Sequence, residues 1–151
     1  MYNDDPTVKG ESNADFTVGP DTVAPVIVHT PLTDTVLASG PYQVYADVTD
    51  NLGVASATLY WKRNNGSFTA VPMEPAGGTG RYVADIPGPS VVGDTYCYYL
   101  EAVDSSSAHN VGRLPVEPGQ SFCFSIIKRT DYLTQLFDLE PFDLRNMCVE
   151  F

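Results

Sequence analysis

Two stretches of this chain alternate in strict period two, and that pattern constrains the fold more than any other feature. Across 42–49, Tyr42, Val44, Ala46 and Val48 fall on one face, with Gln43, Tyr45, Asp47 and Thr49 on the other. Across 95–103, Tyr96, Tyr98, Leu100 and Ala102 share one face, with Cys97, Tyr99, Glu101 and Val103 opposite. An extended strand sends successive side chains to opposite faces, so each stretch reads as a strand with one dry side. A helix repeats every 3.6 residues and would scatter the same apolar set around its surface. A sheet with one dry face needs a second layer to cover it.

Shorter runs of the same kind supply that layer. Pro25 opens 26–29, a position where no ladder donor is needed. The run 54–62 points Ala55, Ala57, Leu59 and Trp61 inward and Ser56, Thr58 and Tyr60 outward. Asn64-Asn65-Gly66 is a hairpin signal, since these residue types tolerate positive φ, and 68–73 returns as the partner strand. The run 81–86 turns Tyr82, Ala84 and Ile86 inward, and 121–127 does the same with Phe122, Phe124 and Ile126. Residues 104–119 read as a long polar connection. The tally is an all-β, seven-stranded antiparallel β-sandwich over 25–128.

Residues 1–24 carry Asp4, Asp5, Glu11, Asp15 and Asp21 with little periodicity, and read as an irregular acidic linker or arm. Residues 129–151 form a C-terminal extension. Within it 131–137 has the apolar spacing of a short helix, with Thr130 or Asp131 as cap, and 142–144 and 147–151 look like further β material. The chain stops inside an apolar run, so the extension is expected to begin a following domain. The first twenty residues lack the basic start and apolar stretch of a signal peptide, and a secreted parent would carry one upstream.

Composition narrows the chemistry. Lys plus Arg number 8 against 19 Asp plus Glu, a formal charge of −11, which disfavours nucleic acid because phosphate binding needs a basic patch. No run of 18 apolar residues argues for membrane insertion. The histidines His29 and His109 have no zinc spacing, Gly77-Gly78-Thr79-Gly80 lacks the lysine of a phosphate loop, and no Gly-x-Ser-x-Gly elbow occurs. Glu101 and Asp47 face out on different sheets and cannot pair. The expectation is a chain without catalysis.

Several segments, taken in order, carry a resemblance. They are 21–32 (DTVAPVIVHTPL), 46–54 (ADVTDNLGV), 59–61 (LYW), 71–73 (VPM) and 98–104 (YYLEAVD). Together they resemble the immunoglobulin-like, fibronectin type III-like accessory modules of secreted bacterial multidomain proteins, often appended to extracellular peptidases or other hydrolases. The match spans roughly 21–127. It departs from the pattern at Ser105–Gly119, where many members have a short hairpin. The resemblance implies a secreted or cell-surface spacer, docking or adhesion surface whose partners are neighbouring domains of a larger chain.

Three sets of residues are candidates for a role. Cys97 and Cys123 lie outward on strands expected to be antiparallel neighbours, close enough for a disulfide. Reduced thiols in a cytosolic protein are the alternative, and the resemblance to secreted modules favours oxidation. Cys148 is left for a partner in the continuation or in another molecule. The start of the first strand, the 50–53 turn and the end of 95–103 fall at one end of a sandwich, which gathers Asp21, Asp50, Asn51 and Asp104. Hard oxygen ligands of this kind can hold calcium, although Asp and Asn in turns also satisfy backbone donors by themselves. Tyr60 and Tyr99 point outward on neighbouring strands. They form either a surface for a glycan or another protein, or a cross-strand pair that stabilises the sheet. Competing with the spacer are a carbohydrate- or protein-binding module and a filament or surface-layer subunit that assembles by strand addition through its terminal arms.

Overall fold

The computed structural model describes residues 19–130, and the expectations for 1–18 and 131–151 lie outside it. Among the described residues, nine strands form two antiparallel sheets. β1 (Val26–Val28), β2 (Tyr42–Thr49), β6 (Arg81–Ile86) and β5 (Glu74–Pro75) make the first, in the order β1-β2-β6-β5. β4 (Thr69–Pro72), β3 (Val54–Arg63), β7 (Thr95–Asp104) and β8 (Val111–Leu114) make the second, with β9 (Phe122–Ser125) also paired to β7.

The alternation predicted for 42–49 is fully realised, because each even-numbered residue is buried and each odd one exposed. In β7 the buried phase runs Tyr96, Tyr98, Leu100, Ala102 and on to Asp104. Val44, Leu59, Ile86, Tyr98 and Leu100 are buried to 1% or less and, with Tyr96, Phe124 and Ile126, fill the space between the layers. Tyr96 and Phe124 stack with centroids 5.3 Å apart, and Tyr42 packs edge-on against Phe124 at 5.2 Å.

The structure departs from the sequence reading in four places. The single strand expected over 68–73 ends at Pro72, and Glu74–Pro75 crosses to the other sheet to pair with Val83 and Tyr82. The polar connection 104–119 contains β8, so the last strand is double. Leu114 pairs with Leu100 and Phe122 with Tyr98, and residues 115–121 leave the sheet between them. Local sequence does not mark its first half as a strand, because Val-Gly-Arg-Leu is short and carries a glycine. The glycine is needed there, since a Cβ on Gly112 would run into the carbonyl oxygen of Pro25. Ala55, expected inward, is exposed because the β3–β7 register shifts between Val54 and Ser56. Trp61 is half-buried at the margin of the core, where its ring packs against Tyr96 at 6.0 Å.

One segment ties the sheets together. β1 belongs to the first sheet, whereas Thr35 forms a parallel bridge with Ile126 beside β9. The strand directions therefore define two poles. The segment before β1, the β2–β3 turn and the β7–β8 connection meet at the N-terminal pole. The β1–β2 connection, the β6–β7 loop and the chain beyond β9 meet at the C-terminal pole.

A candidate cation site at the N-terminal pole

Three carboxylates converge at the N-terminal pole. Asp21 precedes β1, Asp50 follows β2, and Asp104 ends β7. One oxygen of each lies within 4.8 Å of the other two, and no other such group of three His, Cys, Asp or Glu side chains occurs among the described residues. Asp104 sits on the inward phase of β7 and is fully buried. Its Oδ1 accepts from Ser106 Oγ at 2.8 Å, Asn110 N at 3.0 Å and Ser106 N at 3.2 Å, and its Oδ2 accepts from Asn110 Nδ2 at 2.8 Å. Burial pushes the Asp104 carboxyl up, but donation from Asn110 and Ser106 outweighs it, and the group is held below its usual range.

Each of the other two carboxylates has one oxygen in use and one without a partner. Asp21 Oδ1 accepts from Val23 N at 3.2 Å and Asn51 Nδ2 at 3.3 Å. Asp50 Oδ2 accepts from Leu52 N at 2.8 Å, the turn-forming bond expected of an aspartate at that position. Asp21 Oδ2 and Asp50 Oδ1 are both buried and accept no hydrogen bond. Buried polar atoms normally have partners, and like charges this close raise one another's energy. A hard divalent cation relieves both conditions, and calcium tolerates the irregular geometry of such a set.

The three aspartates that the sequence reading places at this pole thus lie together, while Asn51 acts through its amide as a donor to Asp21. Sequence reasoning missed Ser106 and Asn110. Asn110 Nδ2 also donates to the backbone oxygen of Asp21 at 3.0 Å, so one side chain links the chain's approach to β1 with Asp104. The available signal was Asp-x-Ser-x-x-x-Asn at the end of an alternating strand.

Cys97 and Cys123 are directly opposed on β7 and β9 and joined by a disulfide, with Cα atoms 4.1 Å apart. Cys123 is exposed and Cys97 half-buried. The bond lies on the outer face of one sheet and does not cross the core. Tyr60 and Tyr99 are also directly opposed, with rings stacked at 4.6 Å and 6°. The Arg113 guanidinium lies 3.6 Å from the Tyr99 centroid, and Phe68 meets Tyr99 edge-on at 5.0 Å. Both tyrosines are half-buried, and Tyr99 spends its ring on neighbours within the sheet.

His29 is not the solvated edge residue that its position suggests. Its Nδ1–H donates to the Tyr45 carbonyl at 2.6 Å, so Nε2, 2.8 Å from the Tyr98 hydroxyl, accepts from it, and that hydroxyl in turn accepts from Leu32 N at 2.8 Å. Burial lowers the His29 pKa, opposed by the Tyr45 bond, and burial raises that of Tyr98 to about 12. No helix among the described residues is long and apolar enough to cross a membrane. No protein-family model matches the chain, and no curated protein matches it in sequence.

Proposed function

We propose that this chain is a non-catalytic, extracellular immunoglobulin-like module that serves as a spacer, and that calcium fixes its N-terminal pole. The observation that carries the reading is the pair of buried, unpartnered oxygens, Asp21 Oδ2 and Asp50 Oδ1, beside buried Asp104. Asp21 belongs to the segment leading into β1. A cation held by it and by two turns of the body would set the angle at which a preceding domain is attached. The surface disulfide supports an oxidising, secreted setting. The strand order, with the segment after β1 bridging to the second sheet at Thr35, supports the immunoglobulin-like assignment.

The sheet edges favour a spacer over strand-adding assembly. β5 has two residues and ends in Pro75, β4 ends at Pro72, β1 follows Pro25 and has three residues, and the β8–β9 edge is broken at 115–121. Short, proline-marked or interrupted edges resist pairing with another chain. The stacked Tyr60–Tyr99 pair fits cross-strand support better than a glycan platform, which needs a free ring face.

The test is a calcium titration of the melting temperature, starting from chelator-treated protein. A native-state ligand at one hundred times its Kd stabilises by about 2.7 kcal/mol. The rise is expected to saturate with calcium and to vanish in Asp50→Asn. An unmoved melting temperature overturns the cation reading.

A further inference from the structure

The C-terminal pole displays apolar side chains on a framework that is unusually well fastened. Val91 and Val92 in the β6–β7 loop are 63% and 52% exposed, and Val36 and Leu37 in the β1–β2 connection are 40% and 51% exposed. These two loops adjoin. Ser90 N donates to Ala38 O at 2.8 Å, the Tyr42 hydroxyl donates to Leu37 O at 2.7 Å and also contacts Ser90 Oγ, and a Cβ on Gly40 would lie 2.8 Å from Gly88 N. Asp94 braces the valines from beneath: its Oδ2 accepts from Val91 N at 2.7 Å and from Arg63, and its Oδ1 accepts from Asn64 Nδ2 at 3.0 Å. Leu37 N is held by Thr35 Oγ1 at 3.1 Å. The exposed side chains are therefore preorganised on fixed backbone. A groove of about 570 Å³ with a mixed lining opens beside Val36 and Leu37; Leu32, Pro41, Tyr42 and Phe124 form its apolar part with them, and Asp34 and Gln43 are among its polar residues. Clustered exposed apolar side chains around a groove mark a contact surface.

The chain leaves the sandwich at this spot. Gly93 N donates to Ile126 O at 2.8 Å and Ile127 N donates to Thr35 O at 2.9 Å, so Ile127 departs between the two loops. Residues 131–151 follow at once, and eleven of these twenty-one are apolar. Tyr132 and Leu136, and likewise Leu133 and Phe137, stand four residues apart in the sequence. Four residues separate Ile127 from Tyr132, so five backbone steps give a reach of at most about 18 Å, enough to stay over the groove, which Thr35 beside Ile127 helps to line.

We infer that the apolar C-terminal pole is the docking surface for the chain's own segment 131–151, seated through Leu133 and Phe137. The proposal is independent of the cation pole. It is tested on the full chain by methyl NMR, comparing the protein with Leu133→Asp/Phe137→Asp. The expected result is a shift of the Val36, Leu37, Val91 and Val92 methyl signals, with those of Val23 and Val111 at the other pole unmoved. Conversely, Val91→Ser/Val92→Ser should shift the methyls of Leu133 and Leu136. Unmoved pole methyls in the tail variant overturn the proposal. So do pole methyls that respond to protein concentration and not to the tail, an outcome that makes a second copy the occupant.

Discussion

Removing the crosslink between Cys97 and Cys123 isolates what it contributes, because the bond lies on the surface and not in the core. The two cysteines are 26 residues apart. In the chain-entropy description, closing a loop of this size removes about 12 cal/mol/K from the unfolded chain, or roughly 3.5 kcal/mol at 25 °C. With Cys123 exposed and Cys97 half-buried, Cys97→Ser/Cys123→Ser leaves no large cavity, so the change acts chiefly on the unfolded state. Phe124 and Ile126 remain in the core and hold β9 in register. The double variant should fold with the same circular dichroism. In urea it should lose about 3–4 kcal/mol, with a steeper m-value because the open unfolded chain exposes more surface. Both proteins must be measured in chelator, since bound calcium would add to each. A loss below about 1 kcal/mol with unchanged m would refute the entropic reasoning, and would mean that the 97–123 loop is already constrained in the reduced, unfolded chain.

The His29 lock predicts a pH dependence. Its folded pKa lies below the model-peptide value of 6.5, so the unfolded chain takes up the proton first, and this contribution is complete above pH 6.5 and lost as pH falls toward the folded pKa. The slope for one proton approaches about 1.4 kcal/mol per pH unit; His29→Gln should flatten the wild-type curve just below pH 6.5, and equal slopes would exclude His29 as the group. Asp94 is held at about 2 by its bond with Arg63, then by Val91 N and Asn64, against the usual 3.8. Its contribution is present above pH 3.8 and disappears as pH falls to about 2, so the stability gap between wild type and Asp94→Ala should narrow across that interval, and a constant gap would contradict it. Gly112→Ala places a methyl against the Pro25 carbonyl and should cost about 1–3 kcal/mol in chemical denaturation, whereas an unchanged midpoint would mean that β1 shifts freely.

The alternating strands were legible because each presents one face to the core and one to water, and burial follows that phase residue by residue in β2 and β7. The opposition of Cys97 and Cys123, and the gathering of Asp21, Asp50 and Asp104, followed from strand direction, whereas oxidation of the two thiols was favoured only by the resemblance to secreted modules. What stayed hidden depends on contacts between distant segments. Nothing local marks His29 as a tether, since its partners Tyr45 and Tyr98 lie 16 and 69 residues away. Asn110 looks like a loop residue until Asp21 and Asp104 are brought to either side of its amide. β8 carries glycine where a strand-former would be expected, because the backbone of Pro25 occupies the space a side chain would need.

The excursion 115–121 changes how the last strand can vary. The sheet hydrogen bonding stops at Leu114 and resumes at Phe122, and Arg113 reaches across to the Gln120 carbonyl to close the base of the protrusion. Lengthening the protrusion beyond that base does not shift the ladder, so the cost grows only with the logarithm of its length. The sandwich thus carries, midway along one sheet edge, a place where foreign peptide can be grafted while the scaffold on either side keeps its pairing.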